Sequence, residues 1–97
     1  MNFTITVAVV AREETLDAMN YYENIRMGLG DDFLEDLEER YSAISKNPYL
    51  FGYADKLLIL RDTSLNRFPF LVIYKIQFNS LIILSVHNTY KKPPSFL

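Results

Sequence analysis

The chain has 97 residues, and ten basic against twelve acidic side chains give it a formal net charge of −2. This length fits a single domain over residues 1–97, and a hydrophobic content of 49% is too high for a disordered chain. The absence of cysteine excludes disulfides, thiolate nucleophiles and cysteine-ligated zinc. No apolar run is long enough for a membrane helix and the first residues lack a signal-peptide pattern, so we expect a cytoplasmic protein without membrane contact.

Strict alternation of apolar and polar residues marks the first segment. Residues 3–9 are predicted to form a strand, with Phe3, Ile5, Val7 and Val9 on its buried face. Two helical stretches follow, in which apolar side chains recur every three or four residues.

The helices are predicted over residues 12–27 and 31–47. Gly28 and Gly30 are expected to break the first helix, and Pro48 to end the second. Because the connection between them is so short, the two helices should form an antiparallel hairpin.

The second half of the chain is rich in strand-forming residues. Strands are predicted over residues 57–61, 70–78 and 81–87, with Asn79-Ser80 as a tight turn between the last two. Residues 57–60 and 81–84 are apolar at every position, a pattern typical of strands covered on both faces. The sequence thus predicts an α+β fold in the order β-α-α-β-β-β, in which a C-terminal three-stranded antiparallel β-meander completes one small sheet.

Ten of the twelve acidic residues precede Pro48. Asp32, Glu35, Asp36 and Glu39 recur at helical spacing opposite the apolar stripe, which predicts a solvated helix face. No histidine accompanies them at ligand spacing, so we expect neither a metal site nor a cofactor.

Charge is divided unevenly along the chain. Residues 1–47 carry four basic and ten acidic groups, whereas residues 48–97 carry six basic and two acidic groups. Basic groups on a sheet suit a polyanion, but they also serve as solubilising residues at strand edges. The single histidine, His87, lies three residues before Tyr90 and suits either acid–base chemistry or a structural hydrogen bond.

An ordered series of short motifs spans nearly the entire chain. In the first half it comprises Tyr21-Tyr22-Glu23, Gly28-Leu29-Gly30, Phe33-Leu34, Leu37-Glu38 and Asn47-Pro48. In the second half it comprises Arg61, Phe68-Pro69-Phe70, Ile73-Tyr74, an isoleucine-rich last strand and His87. The series resembles the toxins of the RelE/ParE superfamily, and its layout is similar to the ParE-like, plasmid-stabilisation branch.

The resemblance implies a bacterial type II toxin–antitoxin system, in which a cognate antitoxin is the partner of the toxin. ParE-like members inhibit DNA gyrase, whereas RelE-like members cut messenger RNA on the ribosome without a metal. Arg61 matches a middle-strand arginine of the superfamily. After His87-Asn88-Thr89 the related branch carries arginine where Tyr90 stands, and Pro93 arrives one residue late.

Site residues follow from this resemblance together with the basic second half. The candidate catalytic residues are Arg61, His87 and Tyr90. The candidate residues for binding a substrate or partner are Arg67, Lys75, Lys91 and Lys92. Three functions stay open: a growth-arresting toxin that acts on gyrase, a metal-independent endoribonuclease, and a degenerate protein that only binds the antitoxin.

Overall fold

The computed structural model describes residues 3–92, so Pro93 lies outside the described residues. The order β-α-α-β-β-β is confirmed. The elements are β1 (Thr4–Val7), α1 (Val9–Ile25), α2 (Leu29–Lys46), β2 (Leu60–Ser64), β3 (Phe70–Gln77) and β4 (Ser80–Asn88).

One four-stranded sheet, with the strand order β1-β4-β3-β2, forms the framework. The last three strands form the predicted antiparallel meander, and β1 pairs in parallel with β4 from Thr4 opposite Ser80 to Val7 opposite Ile83. A register shift leaves Leu84 without a partner on β3. Beyond the end of β1, helix α1 instead of a strand lies beside β4.

The first strand is shorter than predicted. Thr4 and Thr6 are exposed whereas Ile5 and Val7 are half-buried, so the predicted alternation is confirmed over these residues. The prediction that Val9 belongs to this strand is wrong, because Val9 begins α1 and is exposed. Helix α1 therefore begins three residues earlier than its apolar spacing indicated.

Glycines at the helical hairpin have two different roles. Gly28 breaks the chain as predicted, with a left-handed φ of 88° at the start of α2. Gly30, in contrast, lies within α2, where an added Cβ would stand 2.8 Å from the carbonyl oxygen of Met19. Its prediction as a helix breaker is wrong, since it permits close approach of the helices. The Glu23 carboxylate accepts N–H bonds from both glycines at 3.0 Å.

The core lies between the helical hairpin and one face of the sheet. Phe33, Leu37 and Ile44 of the predicted α2 stripe are buried and pack against strand residues such as Val72 and Tyr74. Their burial removes the apolar face of the hairpin from water, which is the main force holding the helices on the sheet.

Two sequence predictions fail at the edge of the sheet near the β3–β4 turn. Residues 57–59 are exposed and precede β2, which begins only at Leu60, so the predicted strand 57–61 covered on both faces is wrong. The turn consists of Phe78-Asn79 and not Asn79-Ser80, because Gln77 pairs with Ser80. Phe78 adopts a φ of 56°, and a positive φ is typical of the first residue of a two-residue hairpin loop.

Candidate functional site

A groove of about 640 Å³ separates the outer face of α1 from the C-terminal half of β4. His87, Tyr90 and Lys91, three of the residues singled out in the sequence, line it together. Tyr21 and Tyr22 of α1 complete its aromatic wall. We call this cleft the α1–β4 groove.

His87 lies largely buried at the base of the groove. It lies on β4 opposite Leu71, and only 8% of its surface is exposed. Within residues 3–92 its imidazole makes no hydrogen bond to another side chain. A histidine in this position has restricted access to a substrate and no partner to orient its ring.

A tight turn after β4 presents Tyr90 and Lys91 at the mouth of the groove. The Asn88 side chain accepts the N–H of Tyr90 at 2.9 Å, and its backbone carbonyl accepts that of Lys91 at 3.0 Å. Thr89 donates from its backbone to the carbonyl of Pro69 at 2.8 Å, which ties the turn to the start of β3. The side chains of Tyr90 and Lys91 therefore project from an anchored backbone.

Tyr22 links the groove to the core. Its ring contacts Phe68, with centroids 4.7 Å apart, and Tyr21, at 5.2 Å. Burial, followed by the neighbouring Tyr21 and Tyr90 hydroxyls, raises the pKa of Tyr22. Its phenol is therefore neutral at physiological pH.

Carboxylates on α1 give the groove a mixed charge. Glu14 accepts hydrogen bonds from the Ser85 hydroxyl at 2.8 Å and the Val86 N–H at 2.9 Å. Asp17 lies one helical turn further along the same wall. Because these carboxylates oppose Lys91, the groove is less favourable for a phosphate than its lysine alone would indicate.

Arg61 lies outside the groove and holds the segment that connects α2 to β2. Its guanidinium donates to the carbonyl of Phe51 at 2.5 Å and to the Tyr53 hydroxyl at 2.8 Å. The cation also lies 4.1 Å from the centre of the Tyr53 ring and 5.6 Å from that of Tyr49. These contacts direct the guanidinium toward the connecting segment and away from the α1–β4 groove.

Arg67 is likewise engaged, at the loop between β2 and β3. It donates to the backbone carbonyl of Asp32 at 3.2 Å and forms an ion pair with Glu35 at 3.3 Å. Lys75 lies on β3 between Leu60 and Ile82 of the neighbouring strands, and Lys92 is exposed beyond the turn. The candidate residues are therefore distributed over separate parts of the surface.

Asp36 corrects the prediction of a fully solvated acidic face. Only 1% of its surface is exposed, and its carboxylate accepts the backbone N–H groups of Asn66 at 3.3 Å and Arg67 at 2.8 Å. It anchors the β2–β3 loop to α2. Nothing in the helical spacing distinguishes Asp36 from its solvated neighbours, because its donors lie thirty residues further along the chain.

Across residues 3–92 there is no group of three or more histidine, aspartate or glutamate side chains placed to hold a metal ion. In the same stretch, neither helix is both long and apolar enough to cross a membrane.

Comparison with known proteins gives one informative result. No family model matches the sequence, and no curated protein matches it. Among solved structures, a chain of the chromosomal ParDE TA (toxin–antitoxin) system from P. aeruginosa superimposes with a TM-score of 0.74 at 14% sequence identity. The alignment covers 89% of this chain and 95% of that chain. This likeness shows that the two chains share a fold, which is the fold that the motif series led us to expect.

Proposed function

We propose that this protein is the toxin of a bacterial type II toxin–antitoxin system and arrests growth when its antitoxin does not neutralise it. The observation that carries the proposal is the likeness to the ParDE chain, which extends over nearly the full length of both proteins. The series of motifs, read in the correct order along the sequence, supports it independently. Both the toxin and its partner antitoxin would act in the cytoplasm.

We further propose that the toxin is ParE-like and acts on DNA gyrase without catalysing a reaction of its own. Cleavage of RNA without a metal requires a base, an acid and cations that converge on one phosphate. Here Arg61 and Arg67 bind backbone carbonyls elsewhere, and Glu14 and Asp17 line the groove that holds His87. This separation of charges favours a binding toxin.

Induction of the protein alone in a bacterial host tests the proposal. We expect growth of the host to stop and its messenger RNA to remain intact. In a separate assay, we expect the purified protein to inhibit supercoiling by purified gyrase. Unimpaired growth would identify a degenerate protein that only binds an antitoxin, whereas unchanged supercoiling at excess protein would refute gyrase as the target.

A RelE-like endoribonuclease is the second candidate, because His87, Tyr90 and Lys91 share the α1–β4 groove. In that reaction the RNA 2′-hydroxyl would lose its proton to a base and attack phosphorus. The bond to the 5′ oxygen would break, and an acid would protonate that oxygen, leaving a 2′,3′-cyclic phosphate. His87 and Tyr90 would serve as the base and the acid, and Lys91 would stabilise the negative charge on the phosphate oxygens.

Primer extension on messenger RNA in a translation reaction separates the two candidates. An endoribonuclease would produce cuts that disappear with His87→Gln and persist with Arg12→Gln, a matched change on the helix away from the groove. Intact messenger RNA in a reaction whose gyrase is inhibited would eliminate this second candidate.

A further inference from the structure

The segment that connects α2 to β2 exposes a cluster of large apolar side chains. Leu57 is 77% exposed, although residues of this size are usually buried. The six exposed apolar residues of the segment are Tyr49, Leu50, Tyr53, Leu57, Leu58 and Ile59. A concentration of this kind on a small domain marks a surface for interaction.

The segment has a defined conformation. Besides the contacts of Arg61, the Asp55 carboxylate accepts the N–H groups of Ile59 and Leu60, both at 3.0 Å. Leu58 adopts a φ of 58°, a left-handed conformation that leucine rarely takes, and its side chain remains exposed. A surface that is already ordered loses less conformational entropy when it binds a partner.

Positive charge borders these apolar residues. Lys56 lies within the segment, and Lys75 pairs across the sheet with Leu60, next to Ile59. Neither lysine forms an ion pair with any residue from 3 to 92. The nearby Asp55 is engaged by backbone N–H groups, and Asp62 lies further along β2, opposite Ile73.

We propose that this surface binds an amphipathic helix of the antitoxin, with an apolar stripe flanked by glutamate or aspartate. We call it the apolar platform, formed by Leu50, Leu57, Leu58 and Ile59 and bordered by Lys56 and Lys75. The identity of the partner rests on the proposed function, and its chemistry rests on complementarity with the platform. A second copy of the chain would bring the same positive border against itself, and two lysines are too few to hold an anionic membrane.

Binding of a synthetic peptide tests this assignment. The probe is a fluorescent helix of about eighteen residues, with leucine at positions i, i+3, i+4 and i+7 and glutamate on both sides. We expect the full-length protein to bind it, and Leu57→Ser combined with Ile59→Ser to weaken binding about tenfold or more. Leu16→Ser, which changes a leucine on α1 that is about as exposed as Ile59, should leave the anisotropy titration unchanged.

Substitution of the two bordering lysines tests the role of charge in binding. Lys56→Glu combined with Lys75→Glu should weaken binding and reduce its dependence on salt, whereas Lys46→Glu on α2 should do neither. A peptide with lysine in place of glutamate should bind at least about tenfold more weakly.

Several outcomes would overturn the assignment. These are no binding by the wild-type protein, equal losses in Leu16→Ser, or a dimer that the Leu57→Ser and Ile59→Ser changes dissociate. Growth arrest by the wild-type protein is measured in an assay separate from peptide binding. Arrest without peptide binding would refute the platform and leave the toxin function intact, while peptide binding without arrest would refute the function and support the platform.

Discussion

The two ends of the sheet differ in how they use their polar groups. Where β3 begins and β4 ends, His87 lies at the base of an open groove, and Tyr90 and Lys91 project from its mouth. At the opposite end, Arg61 makes many contacts and the surface above it is apolar. The comparison shows that Arg61, the cation with the most partners, holds the backbone in place. Lysines that make fewer contacts, such as Lys91, remain available to ligands.

The largest effect is expected at the end held by Arg61. Arg61→Ala removes charged hydrogen bonds and contacts with two rings, so we expect a loss of about 2–4 kcal/mol in the free energy of unfolding. Hydrogen exchange should accelerate in residues 49–59 and remain unchanged in residues 85–91. Equal acceleration at both ends would show that the two regions are not independent.

Support for the groove end is tested by Asp36→Ala. The change removes the charged acceptor of the N–H groups of Asn66 and Arg67, which should cost about 2–3 kcal/mol in the free energy of unfolding. Glu39→Ala, on the exposed face of the same helix, should stay within about 0.5 kcal/mol. Urea denaturation measures both, and similar values for the two variants would contradict the anchoring role of Asp36.

A pair of glycine substitutions compares the ends directly. Gly30→Ala places a methyl group against the Met19 carbonyl, so we expect a loss of about 1–2 kcal/mol despite the higher helix propensity of alanine. Gly52→Ala, in the segment above Arg61, meets no atom within 4 Å and should be nearly neutral. Thermal denaturation monitored by circular dichroism reads both variants, and a neutral Gly30→Ala would refute the tight contact between the helices.

The smallest effect concerns alkaline pH at the end held by Arg61. The buried Tyr74 hydroxyl donates to the carbonyl of Pro48 at 2.7 Å, and burial raises its pKa to about 12. Because an unfolded tyrosine has a pKa of about 10, this contribution to stability is complete below that pH and is lost as pH rises toward 12. It should fall by about 1 kcal/mol between pH 10 and pH 11.

Tyr74→Phe provides the control for this titration. It removes the hydroxyl and should cost about 1 kcal/mol at neutral pH, with a shallower decline above pH 10. Urea denaturation at several pH values gives the two slopes. Parallel slopes for the two proteins would show that Tyr74 does not titrate differently on folding.

Local patterns in the sequence predicted the elements but not the long-range contacts. The spacing of Phe33, Leu37 and Ile44 located α2 because burial of one helix face imposes that period. Residues 57–59 were wrongly predicted as a strand because an apolar run has the same pattern in a buried strand and in an exposed segment.

The site shows the same division. His87, Tyr90 and Lys91 are close in sequence and meet in one groove, so their proximity could be inferred from the chain. The engagement of Arg61 by Phe51 and Tyr53 depends on how an irregular segment folds back, which periodicity does not encode. The role of Asp36 likewise depends on a loop thirty residues away.

The parallel pairing of β1 with β4 has a consequence for how the protein is made. Thr4 has no strand partner until Ser80 is available, so a nascent chain emerging from the ribosome cannot complete its sheet before β4 has been synthesised. The α1–β4 groove has its second wall only when β4 is present. A translation product truncated before β4 would therefore lack the groove.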